Sequence, residues 1–300
     1  MRIASIDIGS YSVRLTVAEI KRNGINILLE KGYITSLASG LEEDGLLKED
    51  RVKETLRVLK EYKSDIERLK VDKVIAVATE ALRKAKNSKD FIEKVKKYTG
   101  IKVRIITPEE EGRLAYTSAV LSLEPEGITL VVDQGGGSTE MIFGRSIRID
   151  DIVSLPIGIV NLTEKFLPSD PPTDEEIKSL MQYLGERIEP LKRDVDVVVG
   201  LGGTITSVTA LEFNVYPYRP EEIHGRKLSR DVLSKWFSIL VELPYRERSR
   251  RFKQIEDRRA KVIVAGIAMF IKILDVFKKD HLIVSDWGVK HGLILKEAMS

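Results

Sequence analysis

The 300-residue sequence predicts two similar α/β domains, each a mixed sheet flanked by helices. Three observations carry this prediction. Short β-branched runs alternate with amphipathic helical segments. The order of these segments, three strands and then alternating helix and strand, occurs twice along the chain. A strand-ending Asp followed by a glycine–serine turn also recurs, with Asp7-Ile8-Gly9-Ser10-Tyr11-Ser12 matching Asp133-Gln134-Gly135-Gly136-Gly137-Ser138 at an offset of 126 residues. A repeat of that length is not a solenoid, and it implies two related domains facing each other across a cleft.

Each element follows from its local pattern. Strands are predicted at 2–8, 12–20 and 25–35, separated by glycine-bearing turns. A helix over 50–69 carries Val52, Leu56, Leu59, Ile66 and Leu69 on one face and Lys, Glu and Arg on the other. Next come a strand at 73–78, a helix at 88–98, a strand at 102–106 and a helix from Pro108. Thr107 is placed to cap that helix, Pro108 suits its first turn, and Glu110 completes a Thr-x-x-Glu capping box. The Glu124-Pro125-Glu126-Gly127 break separates a first domain, 1–124, from a second, 125–300.

The pattern then restarts with strands at 128–133, 139–143 and 146–155 and helices near Asn161 and over 173–191. A strand at 195–200 leads into a helix after Gly203. Helices at 230–241 and 258–277 and a strand at 281–285 follow. The closing helix, 289–300, is a candidate to pack back on the first domain. A second internal match sets Ala78-Thr79-Glu80 against Gly203-Thr204-Ile205 at an offset of 125 residues.

Composition narrows the chemistry. A hydrophobic share of 43% is enough for real cores. The longest apolar run, 262–271, is about half of a membrane-spanning helix, and the N-terminus lacks the layout of a signal peptide. The expectation is a cytoplasmic protein with no membrane partner. The absence of cysteine excludes disulfides, thiolate metal sites and cysteine nucleophiles. With only His224, His281 and His291, a multi-histidine zinc site is not expected, and any metal should be a hard ion held by oxygen. Forty-nine basic against 46 acidic residues is too balanced for a nucleic-acid binder.

A strand ending in Asp and turning through glycine and serine has a physical use. Glycine lets the backbone approach a ligand, successive N–H groups form a nest for phosphate oxygens, and the Asp supplies oxygen to Mg²⁺. The alternative reading of either turn is an ordinary tight hairpin. Asp133-x-Gly-Gly-Gly-Ser-Thr-Glu140 is the less common pattern, and its repetition favours the ligand reading.

Asp7-Ile-Gly-Ser-x-Ser-x-Arg14, Asp133-x-Gly-Gly-Gly-Ser-Thr-Glu140, Gly200-x-Gly-Gly-Thr204 and Ser285-Asp-Trp-Gly288 resemble motifs of the exopolyphosphatase/guanosine pentaphosphate phosphatase (Ppx/GppA) family. That family belongs to the actin–Hsp70–sugar kinase superfamily. Thr79-Glu80-Ala81-x-Arg83 and the Glu109-Glu110-Glu111 run are similar to its pattern too. The resemblance implies two actin-like (ribonuclease H-like) domains. It also implies Mg²⁺-dependent hydrolysis, with Mn²⁺ as the other candidate ion. The substrate would be inorganic polyphosphate, at its terminal phosphate, or guanosine pentaphosphate, at its 5′-phosphate. By the same resemblance Glu111 activates water, and Asp133, Glu140 and Asp7 bind metal. Gly9, Ser10, Ser12, Gly135, Gly136, Gly137, Ser138, Thr139 and Gly203 cradle phosphate, and Arg83 neutralises phosphate charge. Nucleotide and a second copy of the chain are further candidate partners.

Each role has a structural counterpart. Acids are favoured in a helix's first turn regardless of function, so Glu109, Glu110 and Glu111 also read as helix-dipole residues. Glu111 shares a helical face with Leu114 and Ala115, which points it inward. Arg83 lies in a basic run of the kind that usually covers surface, yet it follows a strand end, where ligands gather. Residues 245–261 hold eight basic side chains, Arg246, Arg248, Arg250, Arg251, Lys253, Arg258, Arg259 and Lys261. They read either as exposed helix or as a wall for a long polyanion.

His224-Gly225 resembles a family motif without a catalytic assignment. Ser285, Asp286 and His291 lack a nucleophile elbow, which excludes a triad. Lys290-His291 departs from the Arg-Glu of many relatives. By the same resemblance, a chain ending at Ser300 is expected to be the short, two-domain form of the family, without the C-terminal helical module of longer relatives. Two rival functions remain at this level: an ATP-dependent kinase of the same superfamily, and an actin-like scaffold switched by nucleotide.

Overall fold

The computed structural model describes residues 1–22 and 24–299. They form two compact units. The first is Met1–Ser118 together with the final helix, and the second is Ala119–Gly288.

The first unit contains β1 (Arg2–Ile8), β2 (Ser12–Lys21), β3 (Gly24–Ile34), α1 (Leu41–Asp44), α2 (Glu49–Arg68), β4 (Lys73–Ala78), α3 (Glu80–Lys84), α4 (Ser88–Thr99), β5 (Val103–Ile105) and most of α5 (Pro108–Leu123). Its sheet runs β3-β2-β1-β4-β5, with β1–β2 and β2–β3 antiparallel and β1–β4 and β4–β5 parallel. Central β1 is buried along most of its length, as a strand covered on both faces must be. The apolar stripe of α2 (Val52, Leu56, Leu59, Ile66) is the one its helical spacing predicts, and it packs with Ile6, Ile8, Val13 and Leu15 in one core.

The second unit holds β6 (Ile128–Gln134), β7 (Thr139–Arg145), β8 (Arg148–Leu155), α6 (Ile159–Phe166), α7 (Asp174–Ile188), β9 (Val197–Leu201), α8 (Gly203–Glu212), α9 (Pro220–Ile223), β10 (Lys227–Ser229), α10 (Arg230–Val241), α11 (Tyr245–Arg251), α12 (Asp257–Phe277) and β11 (His281–Val284). Its sheet runs β10-β11-β9-β6-β7-β8. Five of its strands, in the order β8-β7-β6-β9-β11, repeat the order and directions of β3-β2-β1-β4-β5. The apolar run 262–271 lies in α12, which is buried on nearly every side and forms the centre of the larger core. No helix among the described residues is long and apolar enough to cross a membrane.

The final helix, α13 (Val289–Ala298), packs on β1 and β2 of the first unit, with Ile294 against Ile3 and Ala18. Lys290 and His291 both face Glu30 of β3, and His291 Nε2 lies 3.0 Å from Glu30 Oε1. Burial pushes the Glu30 carboxyl up. The hydrogen bond to His291 and the charge of Lys290 override it, so the group is held below the usual carboxylate range.

Several sequence expectations need correction. The halves are not equivalent, because the second sheet gains β10, an antiparallel edge strand of three residues, too short to show an alternating pattern. The short helices α1, α3 and α9 were also not foreseen. The Thr79/Thr204 match is out of register. Asp7 pairs with Val77 and Asp133 with Leu201, which sets Thr79 level with Gly203.

At the start of α5, Thr107 Oγ1 accepts from the Glu110 N–H at 3.2 Å. The Glu110 carboxylate, however, is taken by a two-pronged bond from Arg104 at 2.6 and 2.8 Å, which lowers its pKa, rather than reaching back to close the box. Residues 245–261 are not one exposed helical face. Arg248 is 2% exposed and donates to the carbonyls of Leu240 and Ala260, each at 2.7 Å. Arg259 is buried as well.

Candidate active site

The two glycine turns are built alike. In the first, the Gly9 N–H donates to Ser12 O at 3.0 Å; in the second, the Gly135 N–H donates to Ser138 O at 2.9 Å. Asp7 stands opposite Arg14 across β1–β2, and Asp133 opposite Glu140 across β6–β7. The repeat seen in the residues is therefore a repeat of hydrogen bonds and of strand register.

In the second turn the carbonyls are turned inward. The first N–H groups of α6 bind them, Ile159 N–H to Gly135 O at 3.1 Å and Val160 N–H to Gly136 O at 2.8 Å. Asn161 Nδ2 reaches Gly137 O at 3.0 Å. Gly158 permits this approach, since a Cβ there would lie 2.4 Å from the Gly136 carbonyl. With the carbonyls occupied, the N–H groups of Gly136, Gly137 and Ser138 find no protein acceptor among the described residues, the arrangement of an anion nest. The first turn is braced in the same sense, with Ser10 O accepting from Ala38 N–H and Tyr11 O from Thr35 and Ser36 N–H. Asn161 as a brace, and Gly158 behind it, are site features the sequence reading missed. The Gly-x-x-Asn spacing before an apolar helix was the available signal.

The predicted residues of the first unit fall into two groups. Gly9, Ser10 and Ser12 lie in the first turn. Ser10 Oγ donates to Glu80 Oε2 at 3.5 Å, and Ser12 Oγ accepts from Arg14 Nε at 3.4 Å. Glu111 and Arg83 meet separately. Glu111, on the first turn of α5, is only 8% exposed, whereas Glu109 beside it is exposed, as the shared face with Leu114 and Ala115 predicts. Arg83, on α3 directly after β4, donates from Nη1 to Glu111 Oε2 at 2.7 Å and to Ile106 O at 3.0 Å. Its other N–H groups make no hydrogen bond among the described residues and can still receive an anion. Asp7 ends β1 beside this turn.

In the second unit Glu140 is 1% exposed and accepts from Ser154 Oγ at 2.8 Å. Two carboxylates directly opposed across a ladder repel unless a cation or a proton lies between them. The donor set is all oxygen, which suits Mg²⁺ or Mn²⁺. No group of three or more His, Asp or Glu among the described residues is arranged to hold a metal, so an ion at Asp133 and Glu140 would take further ligands from water and substrate. Thr139 turns its hydroxyl inward to Ile157 O at 2.7 Å. Gly203, the first residue of α8, lies beneath the Arg259 guanidinium, and a Cβ there would sit 2.1 Å from Nη2.

The remaining motif residues have structural partners. His224 Nδ1 accepts from the Asp286 N–H at 3.3 Å, and burial pushes the imidazole pKa down, so the ring is neutral and ties two loops together. Ser285 Oγ donates to Trp287 O at 2.9 Å, while His291 faces Glu30, which leaves no serine–histidine pairing.

Comparison with known proteins agrees with this picture. The model of the Ppx/GppA phosphatase family matches residues 16–300. Exopolyphosphatase 2 of Mycobacterium tuberculosis is 29% identical over 99% of this chain and 98% of its own. A bifunctional 3-dehydroquinate synthase/phosphatase of Fusobacterium nucleatum is 30% identical over 98% of this chain, which spans 46% of that protein's length. Among solved structures, the Ppx/GppA family member of Aquifex aeolicus is 56% identical with a TM-score of 0.87, covering 100% of this chain and 98% of that one. An exopolyphosphatase of Cytophaga hutchinsonii has the same fold, with a TM-score of 0.93 at 24% identity over 100% of this chain and 98% of that one. The duplicated glycine turns and the repeated sheet order are thus those of an actin-like fold, and the chain belongs to the Ppx/GppA phosphatase family.

Proposed function

We propose that the protein hydrolyses terminal phosphoanhydride bonds, releasing orthophosphate from inorganic polyphosphate and, by the same chemistry, the 5′-phosphate of guanosine pentaphosphate. The observation that carries this reading is the buried Glu111–Arg83 pair at 2.7 Å. Arg83 fixes the plane of the carboxylate, so that Glu111 orients a water for in-line attack. The water oxygen bonds to the terminal phosphorus, the bridging P–O bond breaks, the shortened chain leaves with its electron pair, and the water proton passes to Glu111 and on to solvent. Such a reaction needs positioning and charge neutralisation more than covalent catalysis. The N–H nest of Gly136–Ser138 and the spare N–H groups of Arg83 are suited to hold phosphate oxygens. Asp133 and Glu140, opposed across β6 and β7, would hold Mg²⁺, which shields phosphate charge when bound.

The test is phosphate release by the purified protein with Mg²⁺ from long-chain polyphosphate, guanosine pentaphosphate and ATP, side by side with Glu111→Ala. Release from either of the first two, lost in the variant, supports the reading and ranks the substrates. Release from ATP alone, accompanied by transfer to an acceptor, replaces it with the kinase reading.

A further inference from the structure

One buried carboxylate near the first glycine turn is not used by the mechanism above. Glu80, in the first turn of α3, is buried, and a carboxylate can only accept, so the Ser10 hydroxyl spends its proton on Glu80 Oε2. The other oxygen, Oε1, lies 2.7 Å from Lys84 Nζ one helical turn on. Lys84 in turn lies 3.2 Å from Glu42 Oε1 of α1. Burial pushes the Lys84 pKa down, but the bond to Glu80 overrides this and raises it, so the lysine stays charged.

A bare carboxylate 3.5 Å from a hydroxyl in a turn proposed to hold phosphate would repel a polyanion. We infer that Glu80 is a positioning residue that sets the direction of the Ser10 hydroxyl, and that Lys84 cancels its charge so that a polyphosphate chain can approach the first glycine turn. The inference rests on the polyanion-binding reading of that turn. Glu42 of α1 gives the lysine a second carboxylate partner at 3.2 Å. With its proton spent on Glu80, the Ser10 hydroxyl is held in one orientation. An ion pair serving α3 alone would have no such effect on a ligand.

The two readings separate in a charge-neutralisation cycle, read by calorimetric binding of inorganic tripolyphosphate and by KM and kcat for polyphosphate. Lys84→Met leaves Glu80 unbalanced and is expected to weaken binding and raise KM about tenfold with kcat little changed, as one uncompensated charge at partly screened range does. Lys84→Arg keeps the charge and stays near wild type. Adding Glu80→Gln to Lys84→Met restores KM, because the repelling charge is gone. Glu80→Gln and Ser10→Ala are expected to be non-additive.

A Lys84→Met protein with unchanged KM, or a double variant with no rescue, overturns the inference while leaving the hydrolase reading in place. A wild-type protein that neither binds tripolyphosphate nor releases phosphate overturns the hydrolase reading, and this inference with it. Lys84→Met exchanges a partly exposed side chain, and Lys84→Arg controls for folding.

Discussion

Arg83 Nη1 and Glu111 Oε2 meet at 2.7 Å across 28 residues of sequence, and both side chains are largely withdrawn from solvent. Neither element could hold its charge alone. The acidic first turn of α5 brings three glutamates, and only the one facing Leu114 and Ala115 is carried to the strand end where Arg83 waits. A buried pair of this kind is weak evidence for stability, since desolvation offsets much of its attraction.

Glu111→Gln is expected to lower the rate of phosphate release from polyphosphate by about 10²–10⁴, the range for losing a general base, with a melting temperature close to wild type. Arg83→Ala should lower it by about a hundredfold, because the carboxylate loses the cation that fixes its plane. Steady-state kinetics beside thermal melts check both. A Glu111→Gln protein at full activity would remove the residue from the mechanism.

Glu140→Gln removes one of two opposed carboxylates and should raise the Mg²⁺ concentration needed for half-maximal turnover. The Ser154 hydroxyl can still satisfy the amide, so the fold should survive. A magnesium titration of the variant at saturating polyphosphate decides the matter: an unshifted midpoint counts against the metal assignment.

Gly158→Ala sets a methyl group 2.4 Å from the backbone of Gly136, where no flexible side chain can give way. The α6 N-terminus must retreat, at a cost of about 1–3 kcal/mol by analogy with overpacked cores. Activity should fall further than stability does, since the turn loses the three bonds that aim its N–H groups. Denaturant melts and rates on the same preparation give the comparison.

Glu30→Gln tests how the last helix is held. The Glu30 carboxyl is depressed in the folded protein, so its stabilising contribution is complete above about pH 5 and is lost as pH falls through and below the ordinary carboxylate range. The variant should be destabilised at pH 7, by about 3 kcal/mol if Lys290 and His291 are left uncompensated. The gap to wild type should shrink towards pH 3. Urea unfolding at the two pH values measures it, and a gap of constant size would contradict the linkage.

Arg248→Met should lower stability by about 2 kcal/mol through loss of two bonds from a charged donor to helix-end carbonyls. Burial already pushes this guanidinium's pKa down to about 10. The salt dependence of polyphosphate binding should stay unchanged, because the charge is sealed from any ligand. Lys253→Met, at an exposed position of the same stretch, is the comparison: of the two, it alone can alter that salt dependence.

Much of this protein was legible in its residues, for reasons of short range. Period-two and period-3.6 patterns mark strands and helices wherever one face is buried, so β1, α2, β4 and α5 stand close to their predicted positions. The glycine turns were visible because a strand-end Asp, a tight turn and a hydroxyl must lie within six residues. Their duplication showed the repeated order of elements along the chain in advance.

The remainder was decided by packing between segments far apart in the chain. Charge patterning cannot say which arginine of a basic run is buried. Only the carbonyls of Leu240 and Ala260, brought together by α10 and α12, take Arg248 out of solvent. Nor can spacing reveal that Glu110 leaves its capping box for Arg104, or that Lys290 and His291 serve Glu30 of β3. The sequence by itself determined the elements, the repeat and the residue types fit for phosphate chemistry, because those depend on neighbours within a few positions. Only the tertiary structure decided which polar groups are satisfied and by whom, because a buried charge or carbonyl takes its partner from whatever distant element packs against it.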